Sequence, residues 1–367
     1  MKTKGFYFAL LLGSFTMWSC TNKDDLSQGS LKTSMNNSVQ ELTTAMNVIS
    51  ASDGYQVMAS SESGTDGPGM VKSSVVAFDS TYNSILLADI AGVYEYKATP
   101  YKRWQNSLMR YFVKTDESAH MIVSLPEEKV MHHKSLLRYS PEDTLLTNDY
   151  VFDLSEYQYN FNHNMGWDYQ IAANINVKSV NVGDLRIQSS ASRANHYNYA
   201  SEFLFANNYK AICNYTTGDT AVSTYAINDG AKTLYEEKYT AIRTSSMGNR
   251  HKEKEYSLTI GDVQIVRTKG HGENGLDSAK VYVAGVLQLN SKVEFVTDST
   301  SDDSENSMIN HKRDLKITFD DGTSSTISEL LGTSVETIRT LFKSLRQASF
   351  TTNIIDRIAW DIYRNKE

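Results

Sequence analysis

Strict alternation of apolar and polar side chains is the clearest pattern in the chain, and it lies in residues 167–177. Successive side chains of a strand point to opposite faces of a sheet, so this pattern predicts a long antiparallel strand with one buried face. Weaker signals of the same kind extend over residues 71–296. We therefore expect a mainly β protein, built as an antiparallel curved meander or an open or half barrel. The apolar phase of the clearest strand comprises Trp167, Tyr169, Ile171, Ala173, Ile175 and Val177.

The phase of the alternation changes at Ser155-Glu156, which predicts a β-bulge there. Four aromatic residues around this point would lie on neighbouring strands. Aromatic rings stack on sugars or line apolar pockets, and Tyr and Trp add a polar group, so the four form the candidate ligand-binding set. An ordinary β core is the alternative interpretation. The set is Tyr157, Tyr159, Trp167 and Tyr169.

Residues 179–187 and 257–265 are similar in sequence, and each contains a Gly-Asp pair flanked by alternating apolar residues. Gly183-Asp184 and Gly261-Asp262 are therefore predicted to be two-residue hairpin turns. Further matches upstream suggest two duplicated units, residues 154–232 and 234–296. Chance similarity between two hairpins is the alternative, since strands use a small set of residue types.

Helices are predicted at both ends of the β region. Residues 31–50 carry a thin apolar stripe at helical spacing, which needs a partner surface such as the main domain. Residues 64–69 are rich in Gly and predict a loop. An acidic loop follows at residues 297–310, and residues 311–367 predict a strand and C-terminal helices. The stripe consists of Leu31, Met35, Val39, Leu42, Met46 and Ile49.

A short basic stretch followed by an apolar run occupies the N-terminus and is typical of a signal peptide. The run is too short for an ordinary membrane-spanning helix. It ends at Met17-Trp18-Ser19-Cys20, which resembles a bacterial lipobox. The resemblance implies that residues 1–19 are removed, that Cys20 is lipidated, and that residues 20–30 form a tether. An ordinary signal peptide with an incidental cysteine is the alternative.

The tether contains Lys23, Asp24 and Asp25. A lysine followed by two acids after the modified cysteine resembles the export signal of Bacteroidota surface lipoproteins. This resemblance implies an outer-membrane lipoprotein on the cell surface, held to the membrane through its N-terminal lipid. The alternatives are a plain polar tether and the periplasmic face of the membrane.

The whole chain of 367 residues carries a formal charge of −7. Removal of Lys2 and Lys4 with the signal peptide would leave 34 basic against 43 acidic residues, a balance that argues against nucleic acid as a partner. Lipidation of Cys20 would leave Cys213 as the remaining cysteine and exclude an intrachain disulfide. Its position in an alternating segment predicts a buried, inert thiol.

The common catalytic and cofactor motifs are missing from the sequence: there is no phosphate-binding loop, zinc motif, nucleophile elbow or Cys-x-x-Cys pair. His120, His132 and His133 are the nearest to a metal site, but adjacent histidines on a strand point to opposite faces. The acids of residues 297–310 could suggest calcium, yet their spacing favours a solvated loop. We expect no cofactor and no metal.

These observations favour a lipid-anchored binding or adhesion protein without catalytic chemistry, whose partner is a glycan, a protein or an apolar ligand. The order of one helix and a long meander resembles periplasmic lipoprotein-carrier folds. The first alternative is therefore a half-barrel carrier of lipid or another apolar ligand. An envelope hydrolase is the second alternative, because carboxylate pairs suited to hydrolysis are recognised from geometry rather than sequence.

Overall fold

The structure is a computed structural model. It describes residues 30–60, 82–98, 108–131, 141–162, 166–192, 196–242, 253–269, 277–297, 313–346 and 349–364. Several predictions concern residues outside these ranges. They are the signal peptide, Cys20, Lys23, Asp24 and Asp25, the loop at residues 64–69, His132, His133, and the acidic loop beyond residue 297.

Eighteen strands lie within the described residues. They are β1 (Tyr82–Leu86), β2 (Gly92–Tyr96), β3 (Phe112–Asp116), β4 (Met121–Leu125), β5 (Tyr150–Asn162), β6 (Gly166–Val177), β7 (Val180–Ser192), β8 (Tyr197–Phe205), β9 (Tyr209–Thr216), β10 (Thr220–Asp229), β11 (Lys232–Ile242), β12 (Glu253–Ile260), β13 (Val263–Lys269), β14 (Asp277–Val283), β15 (Val286–Leu287), β16 (Lys292–Thr297), β17 (Arg313–Thr318) and β18 (Ser324–Thr326).

Fifteen of these strands form one long curved sheet, in which β4 to β15 follow each other in chain order. Neighbouring strands are antiparallel except for β2 and β4, which are parallel. The sheet stays open, and β16, β17 and β18 form a separate small sheet. The expected mainly β, antiparallel curved architecture with an N-terminal helix and a helical C-terminus is confirmed.

Seven α-helices and two 3-10 helices, at Leu108–Tyr111 and Pro141–Leu145, complete the described structure. None of the described helices has the length and apolar character needed to cross a membrane. The α-helices are α1 (Leu31–Ser50), α2 (Asp53–Ser60), α3 (Leu87–Ile90), α4 (Glu127–Met131), α5 (Ile327–Leu331), α6 (Ser334–Arg346) and α7 (Ser349–Arg364).

The apolar stripe of α1 is buried along its whole length, as its spacing predicts. The helix packs on β11, β12 and β13, while α2 contacts β7 and α6 packs on β8 and β9. Helix α7 packs against α3, β1 and the first 3-10 helix. The apolar phases of the strands face these helices, so burial between sheet and helices supplies the main core.

The hairpin prediction is confirmed at one Gly-Asp pair and wrong at the other. Ile260 opposes Val263 across the Gly261-Asp262 turn. Gly183-Asp184 instead lies inside β7, and the preceding turn is formed by Lys178 and Ser179, both with positive φ.

Close packing explains the glycine inside β7. A Cβ atom at Gly183 would lie 2.6 Å from the ring of Phe203, so the missing side chain makes room for that ring. The two similar segments therefore have different structures. The duplication of residues 154–232 and 234–296 stays a prediction that rests on the upstream matches alone.

The predicted bulge is confirmed, because the pairing of β5 with β6 shifts between Leu154 and Glu156. This extra residue lets both halves of β5 bury their apolar side chains on the same face. The first half pairs with β4 and the second half pairs with β1.

Candidate functional site

Among the described residues, the helices that contact the long sheet cover one of its faces and leave the other face without a helix. The two faces are clear in β8, where Tyr199, Phe203 and Phe205 are buried and the residues between them are more exposed. Tyr199 contacts α6 directly, which assigns the buried phase to the helix-covered face. The alternate phase, which includes Glu202 and Leu204, therefore lies on the face that we call the open face.

The predicted aromatic set lies on the helix-covered face. Tyr157, Tyr159 and Tyr169 are buried, and Trp167 is half-buried with its ring 6.0 Å from that of Tyr197. The rings of Tyr157 and Tyr169 meet edge to face at 6.1 Å. In this structure the three tyrosines form a packed layer beneath α7 rather than the wall of a pocket.

Both tyrosine hydroxyls donate a hydrogen bond to one carboxylate of α7. Tyr157 donates to Asp356 Oδ1 at 3.1 Å, and Tyr169 donates to the same atom at 3.2 Å. Desolvation raises the pKa of Asp356 to about 7, against the lowering effect of the two hydroxyls. Sequence analysis missed Asp356. The available signal was one acid between Ile355 and Ile358 on the apolar face of the predicted final helix.

A second carboxylate with two tyrosine partners lies farther along the same face. Glu237 on β11 accepts a hydrogen bond from Tyr235 at 3.2 Å and another from Tyr256. Burial raises the pKa of Glu237, and nearby Arg339 of α6 works in the opposite direction. The first cluster joins α7 to β5 and β6, and the second joins β11 to β12, so their hydrogen bonds hold these elements together.

The open face carries a polar groove that crosses β5 to β9 and ends at His120, which directly precedes β4. Its volume is about 390 Å³. Five strands and the position of His120, at a spacing of about 4.8 Å, give it a length of roughly 24 Å. We define the groove by the residues that line it, namely His120, Asp153, Ser155, Ala172, Ala173, Asn174, Asp184, Leu185, Arg186, Glu202, Leu204 and Lys210.

Strand register brings these residues together from distant parts of the chain. Asp153 pairs across to Asn174, and Asn174 pairs to Asp184 on β7. Arg186 of β7 pairs with Glu202 of β8. These paired positions form rows that run perpendicular to the strands. The polar residues of each row alternate with buried core residues along their own strands, so together they form one extended polar surface.

The polar groups of the groove are already paired with each other. His120 Nδ1 lies 2.8 Å from Asp153 Oδ1, and Asn174 donates to Asp184 at 2.8 Å. Glu202 lies 3.4 Å from Lys210 Nζ and 3.9 Å from Arg186 Nε. The groove therefore offers carboxylate acceptors beside ammonium, guanidinium and amide donors, with little uncompensated charge.

Sequence analysis singled out His120 of this groove, but as a weak metal ligand. Within the described ranges, no three His, Cys, Asp or Glu side chains are grouped to hold a metal ion. Cys213 is buried at 2% exposure, as the alternation predicts. The other polar residues of the groove were missed as a site because most of them occupy the polar phase of strands, which sequence analysis assigned to solvent, and Asp184 was assigned to a turn.

Comparison with protein-family models, curated proteins and solved structures gives no match.

Proposed function

We propose that this protein is a lipid-anchored binding protein of the cell envelope that holds a polar ligand in the groove of the open face. The observation that carries the proposal is the row of donors and acceptors that five strands place side by side along that groove. Attachment through Cys20 and surface display through Lys23, Asp24 and Asp25 rest on their resemblance to lipoprotein signals.

The chemistry of the groove favours an electrically neutral ligand rich in hydroxyl groups, such as a glycan. An anionic ligand would compete with Glu202 for Lys210, and a cationic ligand would compete with His120 for Asp153 and with Lys210 for Glu202. A hydroxyl can instead donate to a carboxylate and accept from a cation at the same time. An elongated oligosaccharide also suits a groove that crosses five strands.

The carrier alternative gains no support from the described residues, because the apolar face of the sheet packs against helices. The hydrolase alternative is favoured by one observation, the contact of His120 Nδ1 with Asp153. A carboxylate in this position fixes the imidazole tautomer in which Nε2 is the basic nitrogen. Release of p-nitrophenol from a panel of p-nitrophenyl glycosides and esters, abolished in His120→Ala, would support it.

The binding proposal is tested with an array of neutral, acidic and amino oligosaccharides, followed by calorimetry on the oligosaccharides retained. Glu202→Gln and Lys210→Ala should each weaken binding about tenfold or more, since each removes a charged hydrogen-bond partner. Glu236→Gln and Lys238→Ala are the matched controls. They lie on β11 at the open face, three strands from Glu202 and two from Lys210, and Glu236 is in the same cross-strand row as Glu202.

The controls should bind as the wild type does. Equal weakening by the groove variants and their controls would contradict the proposal. If the protein retains no neutral oligosaccharide, the proposed neutral class of ligand is contradicted. If it retains only acidic or amino oligosaccharides, the ligand is a charged oligosaccharide instead.

A further inference from the structure

Helix α7 places a half-buried carboxylate beside its buried apolar residues. Ile354, Ile355, Ile358 and Ala359 are all buried at 5% exposure or less, and Asp356 lies next to them. It accepts hydrogen bonds from the hydroxyls of Tyr157 and Tyr169, which reach it from β5 and β6. An ionised carboxylate in such surroundings loses part of its hydration.

The charged groups around α7 do not compensate for this loss. On α7 itself, Arg357 is exposed and Asp361 accepts a hydrogen bond from the amide of Met109 at 3.3 Å. The neighbouring 3-10 helix carries Arg110 and α3 carries Asp89, while the titratable groups facing Asp356 from the sheet are Tyr157, Tyr159 and Tyr169.

The pKa of Asp356 is set by desolvation and by two of those tyrosines, with no contribution from Arg110, Asp89, Arg357 or Asp361. In the part of the chain that the structure describes, an ionised Asp356 therefore has two hydroxyl donors and no cation that balances its charge. This arrangement suits a protonated carboxyl group better than a carboxylate.

We propose that α7 is a pH-sensitive cover over the tyrosine layer of Tyr157, Tyr159 and Tyr169, closed while Asp356 is protonated and loosened when Asp356 ionises. This device is independent of the groove, which lies on the opposite face of the sheet. It would expose the aromatic residues of β5 and β6 in response to pH.

The direction of the pH effect follows from the pKa of Asp356 in the docked and released states of α7. The pKa of Asp356 is about 7 when α7 is docked, and the ordinary value of 3.8 applies when it is released into water. The stabilising effect of the protonated acid is complete below about pH 4 and is lost as the pH rises through 7. Release of α7 therefore becomes easier over this interval and changes little above it.

Hydrogen exchange followed by mass spectrometry tests the proposal on the full chain. Exchange rates of residues 349–364, corrected for the intrinsic effect of pH, should rise roughly tenfold or more between pH 5 and pH 8. Asp356→Asn keeps an acceptor for the tyrosines but cannot ionise, so it should abolish this rise. Asp361→Asn, on the same helix, is the matched control and should retain it.

Tyr157→Phe provides an independent variant in case Asp356→Asn disturbs folding. Its hydroxyl stabilises the ionised carboxylate, so its loss should move the midpoint of release to higher pH. A purely structural contact would alter the exchange rate without moving that midpoint. The proposal is overturned by pH-independent exchange in the wild type, by an unchanged rise in Asp356→Asn, or by an unshifted midpoint in Tyr157→Phe.

Discussion

The hydroxyl of Tyr199 donates a hydrogen bond to the backbone carbonyl of Leu345 at a distance of 2.8 Å. Tyr199 is on β8, and Leu345 is in the last turn of α6, where carbonyl groups lack partners within the helix. The bond is buried. It joins the middle of the long sheet to a helix more than a hundred residues away in the chain.

Tyr199→Phe should therefore destabilise the protein by about 1–2 kcal/mol, because it removes the closer of two donors to a buried carbonyl and leaves the weaker bond from Ser201 Oγ at 3.5 Å. Chemical denaturation at neutral pH measures the free energy of unfolding. Tyr239→Phe is the control, since Tyr239 is half-exposed and its hydroxyl makes no hydrogen bond to the described residues. Equal losses in the two variants would contradict a specific role for the Tyr199 bond.

The turn at Gly261 should tolerate a side chain less well than the turn at Gly230. Both glycines have a φ of +54°, so Ala costs each backbone about 1 kcal/mol. A Cβ at Gly261 would also lie 2.8 Å from Ser38 Cβ on α1, whereas Gly230 has open space.

Gly261→Ala should thus lower the free energy of unfolding by roughly 1–3 kcal/mol more than Gly230→Ala does. Thermal and chemical unfolding of the two variants provide the comparison. If both lose the same stability, the contact between the turn and α1 is not tight.

Packing of α1 on the sheet should account for a large share of the stability. Leu42 has an exposure of 0%, and Leu42→Ala should cost about 2–5 kcal/mol. Val48 on the same helix is 42% exposed, and Val48→Ala should stay within about 0.5 kcal/mol of the wild type. A small effect at both positions would show that α1 is not held by its buried stripe.

Glu237 should make stability depend on pH. Its pKa is raised in the folded protein by desolvation, so its contribution is complete below its ordinary pKa of 4.5 and is lost as the pH rises through the folded value. Glu237→Gln should therefore flatten the pH dependence of unfolding above pH 4.5. Urea titrations from pH 4 to pH 8 would measure this, and parallel curves for variant and wild type would count against it.

Lipidation at Cys20 is predicted from the lipobox-like sequence. Mass spectrometry of membrane-extracted protein should find an acylated N-terminal peptide that begins at Cys20. Cys20→Ala should release the protein from membranes, because no lipid could then be attached. Unchanged membrane retention in that variant would refute the prediction, and Cys213→Ala is the control that keeps the attachment.

Sequence alone determined the elements whose side-chain period is set by local geometry. The buried stripe of α1, the strand β6 and the bulge in β5 all follow from which residues alternate and where the phase changes. The helices α6 and α7 also occur where apolar residues recur at helical spacing. These features depend on residues close in the chain, so the chain segment itself contains the information.

The tertiary structure decided which residues lie opposite each other in the sheet and between the sheet and the helices. The prediction of a turn at Gly183-Asp184 was wrong because Gly183 pairs with β6 and packs against Phe203, and both contacts place it in a strand. The groove arises from the register of five strands, and the tyrosine layer is part of the core because α7, whose Asp356 is almost two hundred residues from Tyr157 in the chain, packs over it. Such contacts depend on long-range packing, which an alternation pattern does not encode.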